Sequence, residues 1–124
     1  MRIALIGSAD FGKAALEAFL DRGDEVVAVF CPPDNPKSSK PEVLKEAALA
    51  RGLTPLQFPS LKGPEAAQAM IDANADICVM AYVLQFVPQE LCKIPKHGTI
   101  QYHPSLLPKY RGPSAINWAI ALGE

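Results

Sequence analysis

A histidine at the end of an apolar, strand-like run is the residue of this chain best placed for proton chemistry. The stretch reads Thr99-Ile100-Gln101-Tyr102-His103-Pro104-Ser105-Leu106-Leu107-Pro108-Lys109-Tyr110-Arg111-Gly112. An imidazole titrates near neutral pH, and the prolines after His103 would hold it in a defined place from which to give or take a proton. A lone histidine serves equally well as a structural hydrogen-bonding residue, so type and place alone leave both roles open. His97, between Lys96 and Gly98, reads as a solvated loop residue. Cys31, Cys78 and Cys92 form no CxxC and have no metal-ligand spacing. They read as buried apolar groups, although Cys31, at the end of a strand-like run, would be a reactive thiol if exposed.

A second feature is Gly7-Ser8-Ala9-Asp10-Phe11-Gly12 between a strand-like run and a helical one. A dinucleotide fingerprint occupies that place, but its second glycine, which lets the backbone approach a pyrophosphate, is here Ala9. Asp10 would set a carboxylate against phosphate. A tight turn with a side-chain cap is the better reading, and a nucleotide-binding module the alternative.

These residues need elements to hold them. Apolar runs begin at Arg2, Glu25, Leu53, Asp76 and Thr99, intervals of 23 or 28 residues that leave room for a helix between each pair. Near-continuous apolar character in the first and fourth runs suits strands covered on both faces of a parallel sheet. Asp10 is placed to cap a helix over 11–22, ended by Gly23. Pro41 at a first helical position, Glu42 in the first turn and Gly52 as a stop bound a second helix. Pro64 and Asn74 bound a third, and Ser114 can cap a last helix running to Leu122. The pattern predicts one domain over 1–124, an α/β, Rossmann-like doubly wound and mostly parallel sheet with helices on both faces. The proline-dense stretches 32–41 and 104–113 then follow the carboxyl ends of strands, where ligands of open α/β sheets bind.

Composition narrows the classes further. Twelve Lys and Arg against thirteen Asp and Glu give a net charge of −1, no general field for nucleic acid or an anionic membrane. The apolar runs are strand-sized, and the first residues lack the order of a signal peptide. A cytoplasmic location without a membrane partner is expected.

The segment 103–112, His-Pro-Ser-Leu-Leu-Pro-Lys-Tyr-Arg-Gly, resembles the signature of the folate-dependent formyltransferases, which include methionyl-tRNA formyltransferase, glycinamide ribonucleotide formyltransferase and the hydrolase domain of 10-formyltetrahydrofolate dehydrogenase. Met1 to Gly12 resembles their first strand and turn, and Ala81 to Pro88 their folate-contacting loop. Ser114 to Trp118 resembles the dehydrogenase's hydrolase domain. The resemblance implies 10-formyltetrahydrofolate as formyl donor, no metal, and a small amine or water as acceptor. It implies that His103 and Gln101 are catalytic, stabilising the oxyanion that develops on the formyl oxygen. Strand alternation puts those two positions on one face, and Gln101 stands where the transferases have Asn and the dehydrogenase relatives an apolar residue. It also implies that Tyr82, Val83, Leu84 and Phe86 hold the folate cosubstrate, with Leu106, Leu107 and Pro108 shaping the loop around the formyl group and Leu107-Pro108 a candidate cis bond.

Family members pair the histidine with an aspartate downstream of the loop. The resemblance therefore implies a domain incomplete at its carboxyl end, for which Asp72 and Asp76 are no substitutes. An uncovered sheet edge would make a homodimer a reasonable expectation. The tRNA-formylating relatives carry a longer basic loop after the second strand and a further domain. With only Lys37 and Lys40 in 32–41, nucleic acid is not expected as a partner of this chain alone.

Overall fold

The computed structural model describes residues 1–35, 37, 40–104 and 116–120, the stretches 102–104 and 116–120 through their backbone. Its elements are β1 (Arg2–Gly7), α1 (Ala9–Arg22), β2 (Glu25–Phe30), α2 (Val43–Ala50), β3 (Pro55–Leu56), α3 (Pro64–Ala73), β4 (Ile77–Ala81), α4 (Gln89–Cys92), β5 (Thr99–Pro104) and β6 (Ile116–Ile120). Among the described residues the strands form one sheet in the order β3-β2-β1-β4-β5-β6. The first five are parallel, and β6 runs antiparallel to β5. This is the doubly wound, Rossmann-like α/β arrangement that the spacing of the apolar runs predicts.

Successive residues of β1 show why both faces are covered. Ile3 and Leu5 pack with Ala15 and Leu16 of α1, with Leu44, Ala47 and Ala48 of α2, and with Val79 of β4. Ala4 and Ile6 pack on the other side with Phe30, Ala66, Met70, Met80 and Leu91. A strand buried on both sides reads as an unbroken apolar run because its period-two alternation serves two cores.

Helix ends follow local chemistry with two corrections. α3 starts with Pro64 at its first helical position and ends on Asn74 at φ 50°, a left-handed stop that Asn tolerates. α1 begins at Ala9 rather than Phe11, so Asp10 lies in its first turn and Ser8 is the N-cap. α2 begins at Val43, with Glu42 as N-cap accepting from the Leu44 N–H. The carboxylate thus outcompetes Pro41 as the starting signal because it satisfies an otherwise orphaned donor.

The last helix expected from Ser114 is not formed over the described part of that stretch. Ile116–Ile120 is a strand, with Asn117 opposite His103 and Trp118 opposite Tyr102. Its sequence alternates Ile116, Trp118 and Ile120 with Asn117 and Ala119. That is a period-two pattern of branched and aromatic residues, and it pairs with a strand that would otherwise be an edge.

Candidate active site at the carboxyl edge of the sheet

The strand order turns back between β1 and β4, the place where open α/β sheets form their ligand crevice. Register lines up the strand ends there. Gly7 pairs with Ala81 and Ala81 with Tyr102, so Ser8, Tyr82 and His103 follow at one level, the first two leaving β1 and β4 and His103 still within β5. Gly7 is required for this closeness: a Cβ on it would stand 2.5 Å from the Ala81 carbonyl oxygen.

Ser8 stitches the first two of these ends together. It is fully buried. Its N–H donates to the Ala81 carbonyl at 3.2 Å and its hydroxyl to the Tyr82 carbonyl at 2.6 Å. Tyr82 sits at φ 59° and Ala9 at φ 57°, left-handed conformations that cost a residue with a side chain roughly 1–2 kcal/mol each. The Phe11 ring meets Tyr82 edge-on, centroids 5.8 Å apart.

The glycine-containing turn is already filled by a carboxylate. Glu42 Oε2 accepts the Ala9 N–H at 2.9 Å and the Leu44 N–H at 2.7 Å. A phosphate at the start of α1 would have to displace this carboxylate, which argues against the nucleotide-binding alternative. The cap expected of Asp10 is thus provided from α2.

Beyond Tyr82, the loop exposes Tyr82, Leu84 and Phe86 at 51%, 64% and 66%, while Val83 and Val87 lean on the lower core. Gln85 Nε2 donates to the Phe58 carbonyl at 2.9 Å, and Lys62 Nζ lies 5.2 Å from the centre of the Phe86 ring. The loop is tethered at its start and middle, with large apolar groups facing outward between the tethers.

Of the residues singled out in the sequence, Tyr82, Val83, Leu84 and Phe86 therefore share one loop at the crevice. Gln101 and His103 lie two apart on β5, and Gln101 pairs with Met80. Leu106, Leu107, Pro108 and the Leu107-Pro108 bond lie outside the described residues. Ser8, Glu42 and Gln85 carry the local architecture in roles the sequence does not announce, Glu42 reading there only as a first-turn acid of the second helix. Only Ser8, directly after the turn glycine, sits where position alone could have drawn attention.

The remaining candidates for chemistry are quieter. Cys31 is buried, and burial, with Glu42 and Asp34 adding, pushes its thiol up to about 12. Its placement at a strand end does not make it reactive. His97 is exposed, as its turn position predicts. Among the described residues no group of three or more His, Cys, Asp or Glu could hold a metal ion. A groove of about 400 Å³ is lined by Lys13, Glu17, Lys40, Glu46 and neighbours on α1 and α2. It involves none of the strand-end residues.

The family model described as formyl transferase matches residues 1–124. The chain is 41% identical over 129 residues to the mitochondrial 10-formyltetrahydrofolate dehydrogenase of Mus musculus, covering 100% of this chain and 14% of that one. It is 37% identical over 128 residues to the methionyl-tRNA formyltransferase of Geobacter metallireducens, covering 100% of this chain and 41% of that one. The chain thus spans well under half the length of these curated relatives. Among solved structures, phosphoribosylglycinamide formyltransferase from Bacillus halodurans superposes with a TM-score of 0.62 at 21% identity, over 93% of this chain and 62% of that one. A formyltetrahydrofolate deformylase from Pseudomonas syringae pv. tomato gives 0.63 at 20%, over 92% and 39%. At such identities the likeness is one of fold.

Proposed function

Because the chain belongs to the formyl transferase family, we propose that its carboxyl-edge crevice binds 10-formyltetrahydrofolate and takes part in moving the formyl group to an amine or to water. The observation that carries this reading is the common level of Gly7 on β1, Ala81 on β4 and Tyr102 on β5, set by the Gly7–Ala81 and Ala81–Tyr102 pairings. It brings the apolar loop after β4 and the histidine of β5 to one edge. Among the described residues no backbone hydrogen bond is donated by Val83, Leu84 or Phe86, which leaves those N–H groups available to the pterin ring. Leu84 and Phe86 supply apolar surface beside it.

In the proposed step an amine or water adds to the formyl carbon, and the carbonyl π electrons move onto oxygen. His103 and Gln101 donate to that oxyanion. Collapse re-forms the carbonyl and breaks the bond to the folate nitrogen, which takes up a proton with His103 assisting. The acceptor's lost proton balances the one gained by the leaving nitrogen.

The test follows formyl loss from 10-formyltetrahydrofolate incubated with the chain, with and without candidate amines. His103→Ala is expected to reduce any turnover by about 100-fold or more and Gln101→Leu by about tenfold. Unchanged turnover in His103→Ala would sink the assignment. Tight folate binding without turnover would instead favour a folate-binding domain.

A further inference from the structure

We infer that Ser8 is a positioning residue that holds the loop from Tyr82 to Pro88 in its ligand-ready conformation. The inference rests on the proposal that this loop receives the folate. Both bonds that Ser8 donates reach the end of β4, N–H to Ala81 and hydroxyl to Tyr82, and its burial excludes water as a substitute partner. No cis bond occurs among the described residues. In a trans peptide the carbonyl and the following N–H point opposite ways. Drawing the Tyr82 carbonyl onto Ser8 therefore turns the Val83 N–H away from β1.

The left-handed φ of Tyr82 makes the tie necessary. Without a partner for its carbonyl, a tyrosine in that conformation relaxes toward the extended or right-handed region, and the Val83 peptide turns with it. The Gln85 tether to Phe58 fixes the loop farther along but does not determine this first peptide. Gly7 completes the device, since only its missing side chain lets Ser8 come within reach of β4.

Thr99 provides a matched control. It too is fully buried, and its hydroxyl donates to a carbonyl, that of Cys92, at 2.8 Å, at the opposite end of the sheet. Ser8→Ala and Thr99→Val each delete one buried hydroxyl-to-carbonyl bond, so both should lower Tm. Backbone order parameters of Val83 to Phe86, measured by nuclear magnetic resonance, are expected to fall from about 0.85 toward 0.6 in Ser8→Ala alone. Affinity for 5-formyltetrahydrofolate should drop about tenfold in Ser8→Ala and stay at the wild-type value in Thr99→Val. Equal loop order in the two variants overturns the inference, as does a loosened loop with unchanged affinity. If the wild-type chain binds no folate, the folate reading fails by itself and the order parameters still decide whether Ser8 holds the loop. Should Ser8→Ala not fold, Ser8→Cys keeps the size and weakens the bond to the Tyr82 carbonyl, and is expected to loosen the same residues to a smaller degree; an undisturbed loop in it would overturn the inference.

Discussion

The three cysteines show how burial decides what a residue type does. Cys31, Cys78 and Cys92 are all buried and unpaired. Burial raises each thiol, Cys31 and Cys78 to about 12 and Cys92 in the same direction. Each thiol is thus held in its protonated form more strongly than a free cysteine, and the thiolate is the nucleophile. A chromogenic disulfide reagent is therefore expected to find no reactive thiol in the native chain and three after denaturation; rapid reaction of one thiol in the native state would contradict the burial described. The sequence left the character of Cys31 open because a strand end is compatible with either environment. What closes the question is the cover supplied by α2, which no local pattern reports.

At the scale of elements, β1 and β4 approach through a glycine that packing demands. Gly7→Ala would force a methyl group into the Ala81 carbonyl. It is expected to cost about 1–3 kcal/mol, read from a lower urea midpoint with an unchanged slope; a variant as stable as the parent would show that the strands are farther apart. Much of this layer was legible beforehand. Pro64 and Asn74 bracket α3 because proline and a left-handed asparagine act on their own backbone, and β1 announces double-sided burial through unbroken apolarity. What escaped was long-range. Asp10 resembles a cap from its neighbours, yet the carboxylate at Ala9 comes from Glu42, 33 positions away, and sequence spacing does not encode that meeting. The strand β6 was missed for a related reason: its residues suit a helix or a strand, and pairing with β5 decides. For the candidate site, His103 draws attention by its place near a strand end, whereas the loop after β4 is picked out only by its resemblance to the family's folate-contacting loop. The sequence did not show the Ser8 tie that sets the loop's direction.

The whole molecule divides its sheet between two tasks. The carboxyl edge holds the candidate site, while the amino edge holds fastenings that matter to global stability. There Arg2 donates through its side chain to the carbonyls of Ala73 and Asn74 at the end of α3, and its N–H donates to the Asp76 carboxylate at 2.9 Å. That bond holds the Asp76 carboxyl below its ordinary range, with Lys96, the amino terminus and His97 adding to the effect. A depressed folded-state pKa contributes stability that is present above the unfolded value, about 3.9, and is lost as pH falls through the folded one. Asp76→Asn should thus be less stable than the parent at pH 7, with the gap shrinking toward pH 3; a gap that stays constant in urea midpoints at the two pH values would refute the linkage. The buried thiols have a practical consequence at this same scale. Since they stay silent toward labelling reagents, a single cysteine introduced at Leu84, on the outward face of the loop, would be the only site to take a dye. Binding at this loop could then be tested by fluorescence without first stripping the protein of its native cysteines.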